Sequence, residues 1–291
     1  MLRVRTDLVA VPVVVTDSRG RRVPNLNASD FAVSTDVGNL KVDYFASGTD
    51  RVALLFALDT SGSARDIIGQ QREAVAALYA RFGRGSRVAV LQFSDLVRLP
   101  VPFTTDGKAA QDAFNFEARQ SSGTAIFDGA ATAVHSFDGS GGFSTERRIV
   151  ILMSDGLDTL SSTKYQLVVD AARKRGVSFY VIHFPLFAPS SEGTLAPRAP
   201  SKGFRELAQQ TGGRYFRIGD VRAALNPKAH VDLTSVFRAI EDDLRGQYVL
   251  GFYPGEAGRD NSFHRVTVTL ASRQRANLRV HQFAEGFDLK P

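Results

Sequence analysis

Cysteine and tryptophan are both absent from the 291-residue sequence. The absence of cysteine excludes disulfide bonds and thiolate metal sites, and it leaves the cellular compartment open. With no Trp and only 7 Tyr, the aromatic residues are mainly the 21 Phe, so we expect a core whose aromatic side chains are mostly Phe.

Long apolar runs and blocks of like charge are also absent. No apolar run reaches the roughly 18 residues needed to span a bilayer, so we expect no membrane span in this chain. The first residues, Met1 to Asp7, lack the apolar core of a signal segment. The net charge is +6, but the basic residues are dispersed. We therefore interpret them as a solvated surface and expect no nucleic-acid partner.

From residue 51 onward, strand and helix patterns alternate along the chain. Continuous apolar runs such as Val52–Leu58 suit strands that are buried on both faces of a parallel sheet. The remaining strand predictions in this part are Arg87–Phe93, Arg148–Met153, Val177–Phe184 and Arg214–Arg217. Amphipathic helices are predicted between them, the last near residues 231–245. The alternation predicts an α/β fold with a doubly wound, mostly parallel, Rossmann-like sheet.

Both ends of the chain carry strand patterns instead. The N-terminal candidates are Leu8–Thr16, Phe31–Ser34 and Leu40–Phe45, and the C-terminal ones are Gln247–Tyr253, His264–Leu270 and Leu278–Phe283. Pro12 predicts an edge strand or a bulge. We expect residues 1–48 and 247–291 to pair into a small antiparallel β-sandwich, with the α/β domain of residues 49–246 inserted between them. Residues 185–202, with four Pro, are predicted to form a surface loop.

Oxygen-bearing side chains follow two predicted strands and precede one predicted helix. Asp59, Ser61 and Ser63 follow the strand that ends at Leu58, Asp155 follows the strand that ends at Met153, and Thr124 lies in the loop 121–124. Open α/β sheets bind ligands at the carboxyl ends of their strands, near a topological switch point. Hard divalent cations take oxygen ligands. These five side chains therefore predict a divalent-metal site, in which Gly62 and Gly123 let two loops fold and approach closely.

This arrangement resembles the metal-ion-dependent adhesion site of von Willebrand factor type A domains, in order, spacing and residue type. Several sequence segments resemble those of a bacterial group related to that family. They are Ala57–Ser63, Gly123–Asp128, Leu152–Asp158, Val13–Asp17 and Tyr248–Pro254. The resemblance departs mildly near the end, where Gly286-Phe287 stands in place of the usual Gly-Tyr.

The resemblance implies a function and a location. A bound Mg²⁺ or Mn²⁺, with Ca²⁺ as a further candidate, would be completed by a Glu or Asp of a protein partner. In such adhesion domains a shift of the last helix accompanies ligand capture. Bacterial members are often exported, which implies a periplasmic, cell-surface or secreted protein whose signal segment has been removed, with a cytoplasmic location as the alternative. We expect a monomer that is not an enzyme.

Two other functions stay open at this stage. A metal-dependent hydrolase with an Asp nucleophile would need a second Asp where Ser61 stands, and no His, Lys or Glu lies beside the site in sequence to act as a base. The other alternative is a structural module with a vestigial site. For Asp128 and Asp158 we predict capping of loops and helix starts rather than metal binding. His183 is predicted to be a core histidine rather than a ligand.

Overall fold

The computed structural model describes residues 8–18, 21–36, 38–47, 52–83, 85–120, 123–138, 146–191, 193–221, 233–258, 260–272, 277–282 and 285–289. Parts of the predicted elements lie outside these ranges, namely Ser121, Ser122, residues 231–232 and Phe283.

The strands in the described residues fall into three larger sheets and one short hairpin. In chain order they are β1 (Val9–Thr16), β2 (Phe31–Thr35), β3 (Gly38–Leu40), β4 (Tyr44–Ser47), β5 (Val52–Asp59), β6 (Arg87–Phe93), β7 (Val97–Thr104), β8 (Arg147–Ser154), β9 (Val177–His183), β10 (Phe187–Pro189), β11 (Leu195–Pro197), β12 (Tyr215–Arg217), β13 (Gln247–Phe252), β14 (Phe263–Leu270), β15 (Arg279–Gln282) and β16 (Gly286–Asp288).

The helices accompany the central part of the chain. They are α1 (Ile68–Leu78), α2 (Gly107–Asp112), α3 (Ile126–His135), α4 (Tyr165–Lys174), α5 (Phe204–Thr211) and α6 (Thr234–Arg245). A single 3₁₀ turn, Ser63–Ile67, leads from the end of β5 into α1. Among the described residues, no helix combines the length and the apolar composition needed to cross a membrane.

The central sheet has the order β12-β9-β8-β5-β6-β7, with every pair parallel except β6 and β7. All eight residues of β5 are buried, because the strand has a neighbour on each side and a helical layer on each face. Core residues of α1 and α6 pack on one face, and those of α3, α4 and α5 on the other. This is the doubly wound arrangement that the apolar runs predict, and the prediction of fold class is confirmed.

The two chain ends form the remaining antiparallel sheets. One has the order β15-β1-β13-β4 and the other β16-β14-β2-β3, so each combines N-terminal with C-terminal strands. Alternate residues of these strands share one core, among them Val13, Phe31, Tyr248 and Val268. The predicted sandwich is therefore present, and the domain boundaries at residues 48 and 246 stay a prediction.

The prediction of one strand over Leu40–Phe45 is wrong. Leu40 ends β3, which pairs with β2, whereas Phe45 lies in β4, which pairs with β13 in the opposite sheet. The chain changes sheets within residues 41–43, and Val42 still packs against the sandwich core. Because the apolar alternation continues through the crossing, the sequence pattern does not reveal the break.

Pro12 lies in β1, an interior strand with β15 on one side and β13 on the other. β13 pairs with β1 from Val9 to Val14, and among the described residues β15 pairs with it from Val13 to Thr16. The register with β13 runs through Pro12 without a shift. The prediction of an edge strand or a bulge at Pro12 is therefore wrong.

Several short elements were not predicted. The segment 185–202, expected to be a surface loop, contains the hairpin of β10 and β11. The antiparallel edge strand β7 and the six-residue helix α2 are further additions. Three-residue strands carry too few residues for a periodic pattern to distinguish them from loops.

Candidate metal site

The predicted site residues lie where two neighbouring parallel strands end. β5 and β8 pair in register, with Leu58 opposite Met153, so Asp59 and Ser154 end the two strands side by side. The chain continues from β5 to one side, into β6, and later returns to the other side as β8. This is the topological switch point at which α/β sheets bind ligands.

Asp59 is fully buried and held at both carboxylate oxygens. Its Oδ1 accepts the N–H of Ser61 at 2.9 Å, and its Oδ2 accepts the hydroxyl of Ser154 at 2.6 Å. The Ser61 Oγ lies 3.1 Å from the Ser63 Oγ. The loop after β5 thus places its two serine hydroxyls together, directly beside the carboxylate.

Thr124 reaches the site from the third loop. Its N–H donates to Thr159 Oγ1 at 2.8 Å, and its carbonyl oxygen accepts the N–H groups of Thr159 and Leu160 at 2.9 and 3.0 Å. With its backbone fixed in this way, Thr124 lines a cavity of about 360 Å³ that Ser61 and Ser63 also line. The three predicted hydroxyl residues therefore share one cavity wall.

Asp155 carries a buried oxygen without a partner. Its Oδ1 accepts the N–H of Leu157 at 2.9 Å, while Oδ2 is buried and makes no hydrogen bond. Buried polar atoms are almost always satisfied, because leaving one unpaired costs roughly 1–3 kcal/mol. The unpaired Oδ2 of Asp155, at a predicted ligand position, indicates that a group that binds oxygen belongs beside it.

Both carboxylates lie where a negative charge is unfavourable. Burial, and secondly the charge of Asp155, raise the pKa of Asp59 from 3.8 to about 7, although hydrogen bonds from Ser154 and Ser61 act in the opposite direction. Burial also raises the pKa of Asp155, against the effects of Ser63, Leu157 and Arg198. A divalent cation between the two carboxylates would relieve both the repulsion and the unsatisfied oxygen.

The donor set fits a hard divalent cation. It offers two carboxylates and three hydroxyls on three loops, which is the oxygen chemistry that Mg²⁺, Mn²⁺ and Ca²⁺ take. In the described part of the chain, no group of three or more His, Asp or Glu side chains forms an alternative metal cluster. The candidate site therefore depends on serine and threonine hydroxyls as much as on charge.

Two supporting residues were missed by sequence reasoning. Ser154 holds Asp59 through Oδ2, and Gln71 bonds the backbone of Asp59 twice: Nε2 donates to the carbonyl oxygen at 2.9 Å, and Oε1 accepts the N–H at 3.2 Å. Gln71 is fully buried. It lies on the same face of α1 as Ile68 and Val75. A polar residue at a core position of an amphipathic helix was the signal that could have revealed it.

Two further predictions, for Asp158 and Asp128, are confirmed. Asp158 Oδ1 accepts the N–H of Ile126 at 2.8 Å and so caps the start of α3. Asp128 accepts the N–H groups of Ser162 and Thr163, which fixes the loop after β8. Both aspartates therefore hold loops together.

His183 is a buried core histidine, as predicted. Its Nε2 donates to the carbonyl oxygen of Asp155 at 2.8 Å, which places the proton there, and Nδ1 accepts from the Tyr215 hydroxyl. Burial lowers the pKa of His183 to about 4, so the ring is neutral at physiological pH. With both nitrogens engaged, the ring positions the Asp155 loop.

The two loop glycines have different roles. A Cβ on Gly123 would lie 2.5 Å from the Leu160 side chain and 2.8 Å from Thr159 Oγ1, so the close approach predicted for this loop is confirmed. Gly62 has φ −63° and ψ −33°, a right-handed conformation open to any residue. The conformational need for glycine predicted at position 62 is therefore wrong.

The model of the von Willebrand factor type A domain family matches residues 53–228. The chain belongs to this family. Von Willebrand factor A (VWA) domains generally mediate protein–protein interactions, and many bind a divalent metal at the strand ends described above. No curated protein matches the chain.

Solved structures share the VWA fold at low sequence identity. Conserved hypothetical protein BatB from Bacteroides thetaiotaomicron is 19% identical with a TM-score of 0.50, covering 66% of this chain and 96% of its own. An aerotolerance-related membrane protein from Bacteroides fragilis is 18% identical with a TM-score of 0.51, covering 66% and 98%. Proximal thread matrix protein 1 from the mussel byssus, solved with zinc in its metal-ion-dependent adhesion site (MIDAS) motif, is 15% identical with a TM-score of 0.52. The match covers 71% of this chain and 48% of that protein.

Proposed function

We propose that this VWA domain binds a protein partner through a divalent cation held by Asp59, Ser61, Ser63, Thr124 and Asp155. The cation would be Mg²⁺ or Mn²⁺, with Ca²⁺ as a third candidate, and a Glu or Asp side chain of the partner would complete its coordination. The observation that carries the proposal is the unsatisfied, buried Oδ2 of Asp155 beside the buried carboxylate of Asp59.

Each residue has a distinct part in this proposal. Ser61 and Ser63 would bind the cation directly, and Asp59 directly or through water. Thr124 and Asp155 would exchange direct and water-mediated contacts as the partner binds. The two carboxylates formally balance the divalent cation, and the three neutral hydroxyls add no further negative charge, so the cation would stay electrophilic enough to attract the partner's carboxylate.

Binding is favoured over hydrolysis by the contacts around the site. Ser61 occupies the position that a second catalytic Asp would need, and its N–H and hydroxyl are bonded to Asp59 and Ser63. His183, at the end of β9, contacts the Asp155 backbone and has both ring nitrogens bonded. An exported location is part of the proposal and rests on the family resemblance, and fractionation of native cells tests it.

The test combines metal binding with partner capture. Isothermal titration calorimetry should detect uptake of one Mg²⁺ by the wild-type chain and none by Asp59→Ala. A pull-down from the native envelope fraction should then capture a partner in Mg²⁺, lose it with chelator, and lose it with Asp59→Ala. The matched control is Asp170→Ala, an exposed aspartate on α4, which should behave like wild type.

The same samples separate the alternatives. A vestigial site would show neither metal uptake nor Mg²⁺-dependent capture. A metal-dependent hydrolase would turn over phosphate or peptide ester substrates in Mg²⁺ and lose that turnover with Asp59→Ala. Either result would overturn the proposal.

A further inference from the structure

A second cavity adjoins the candidate metal site. It has a volume of about 720 Å³, and it shares Gly62, Ser63 and Arg198 with the cavity lined by the hydroxyl residues. We call it the hairpin groove, because β10 and β11 supply part of its lining. The shared wall means that anything bound at the cation lies next to the groove.

The hairpin groove has a lining of mixed character, somewhat more apolar than polar. Ile67, Phe184 and Ile218 are core residues that also line it, and each is at most 6% exposed. Phe187 and Leu195 of the hairpin are half-buried and form part of the same lining. Its volume lies within the range of about 300–1,000 Å³ that encloses small ligands, so it suits side chains of a peptide segment rather than a flat protein surface.

Charge is distributed unevenly along this surface. Arg198 is exposed on the shared wall, and its position is fixed by a backbone N–H that donates to the Leu186 carbonyl oxygen at 2.7 Å. Asp66 and Asp220 line the groove but not the metal cavity. A negative group is therefore favoured at the metal end, and a second negative group further along the groove is disfavoured.

We propose that the hairpin groove determines partner specificity by holding the residues next to the metal-bound carboxylate. The occupant is an extended segment of a partner protein in which one Glu or Asp has bulky apolar neighbours and no second acidic residue close by. Arg198 contacts the carboxylate at the junction. This inference rests on the proposed function, since the cation fixes the acidic residue.

Synthetic peptides provide the probe. One heptapeptide has a central Glu flanked on both sides by Phe and Leu, a second has the same Glu flanked by Gly and Ser, and a third replaces Glu by Gln between Phe and Leu. Binding is measured by NMR-monitored titration in millimolar Mg²⁺ and again with chelator. We expect the first peptide to bind about tenfold tighter than the second, because burying one large apolar side chain is worth at least that factor.

Variants assign the effect to named residues. Phe187→Ser should reduce the affinity for the first peptide to that for the second and leave the second unchanged. If Phe187→Ser lowers the melting temperature, the Leu195→Ser variant is used in its place. Arg198→Gln should weaken both Glu peptides about threefold, as expected for an exposed charge contact, whereas Arg238→Gln on α6 should weaken neither.

The outcomes distinguish this inference from the proposed function. Mg²⁺-dependent binding of both Glu peptides with equal affinity overturns the role of the groove and leaves the proposed function intact. Equal binding of the first peptide with and without Mg²⁺ overturns the link between groove and metal. Metal uptake without binding of any peptide also overturns the inference, whereas the absence of Mg²⁺ uptake by calorimetry contradicts the proposed function itself.

Discussion

Asp59 occupies an environment that is unfavourable for a carboxylate in the metal-free protein. It is completely buried, and the second buried carboxylate, that of Asp155, repels it. Hydrogen bonds from Ser61 and Ser154 compensate only in part. Without metal, binding a proton removes this repulsion, and burial together with the charge of Asp155 therefore raises the pKa of Asp59 to about 7. A cation would have to displace that proton, so metal binding should depend on pH.

The first prediction concerns the pH dependence of metal-free stability. Because the folded pKa of Asp59 lies above its unfolded value of 3.8, its stabilising contribution is complete below pH 3.8 and is lost as the pH rises towards 7. We expect the melting temperature of the metal-free protein to fall between pH 5 and pH 8, and Mg²⁺ to raise it more at pH 8 than at pH 5.

Asp59→Asn provides the control for that measurement. The amide keeps the size of the side chain and removes its titration, so the variant should show a flatter pH profile and no response to Mg²⁺. An equal rise in melting temperature with Mg²⁺ at both pH values would contradict this reading. So would a response to Mg²⁺ in the variant.

A second prediction concerns Gln71, which bonds both backbone groups of Asp59. Gln71→Leu replaces the amide by an apolar group of similar size and leaves the buried N–H and C=O of Asp59 unpaired. We expect a loss of about 1–3 kcal/mol in the free energy of unfolding by urea, together with weaker Mg²⁺ binding in calorimetry. Gln166→Leu, at an exposed position of α4, should change neither, and a Gln71→Leu variant with wild-type metal affinity would exclude a positioning role.

At the scale of elements, α3 and the loop after β8 are connected by hydrogen bonds in both directions. Asp158 in that loop caps the first N–H groups of α3, while Asp128 in α3 accepts N–H groups from residues 162 and 163. The same loop bonds the backbone of Thr124. The position of the Thr124 hydroxyl therefore depends on contacts made by neither the threonine side chain nor the metal.

The third prediction tests whether the Asp158 cap positions the loop that carries Thr124. Asp158→Ala removes the cap, and we expect a loss of about 1–2 kcal/mol in unfolding free energy and faster hydrogen exchange at residues 124–128. Addition of saturating Mg²⁺ should restore part of the protection, since a cation in the proposed site would hold Thr124 from the other side. Unchanged exchange at residues 124–128 would show that the cap does not position this loop.

The sequence predicts elements and site residues with unequal success, and the reasons are physical. The long strands β5, β6, β8 and β9 are buried on both faces, so their apolar runs are continuous and their bounds are nearly correct. The candidate site residues Asp59 and Asp155 were proposed from strand ends and spacing. The supporting roles of Gln71 and Ser154 were not, because they arise from side-chain contacts between separate elements, 12 and 95 residues from Asp59 in sequence.

At the scale of the whole molecule, the sandwich and the α/β part meet through polar contacts. Gln247, the first residue of β13, donates to the Tyr180 hydroxyl and to the Gly212 carbonyl oxygen, and Arg22 donates to the same carbonyl oxygen at 3.3 Å. Only Gly246 separates α6 from β13. A displacement of α6 would therefore act directly on a central strand of the sandwich.

The fourth prediction follows from that direct connection. Adding an acidic, apolar-flanked peptide in Mg²⁺ should change hydrogen exchange in residues 234–252, if capture displaces α6 as it does in adhesion domains of this kind. The comparison is the same peptide with Asp59→Ala. Identical exchange in both samples would mean that α6 stays fixed during binding.

The fifth prediction concerns His264 in the sandwich. Its Nδ1 lies 3.1 Å from the Asp36 carboxylate and its Nε2 lies 2.9 Å from the Asp260 carboxylate. Burial by itself lowers the pKa of His264, but the hydrogen bonds and charges of Asp260 and Asp36 together raise it. The contribution to stability is then complete below pH 6.5 and is lost as the pH rises through the higher folded pKa.

His264→Gln isolates this contribution. The difference in melting temperature between wild type and variant should be largest near pH 6 and should shrink towards pH 9, in Mg²⁺ as well as in chelator. A difference that stays constant with pH would mean that the ring contributes through packing against Phe287 rather than through its charge.

The position of β1 also has a consequence for biosynthesis. Its two partners, β13 and β15, lie near the far end of the chain, and about 230 residues separate Thr16 from Gln247. On the ribosome the Val-rich first strand emerges long before either partner exists, whereas the strands and helices of the central sheet follow one another and can assemble as they appear. The newly made chain therefore carries an unpaired, apolar strand until residues 247–282 have been made, and that is the interval in which the strand is most exposed to aggregation.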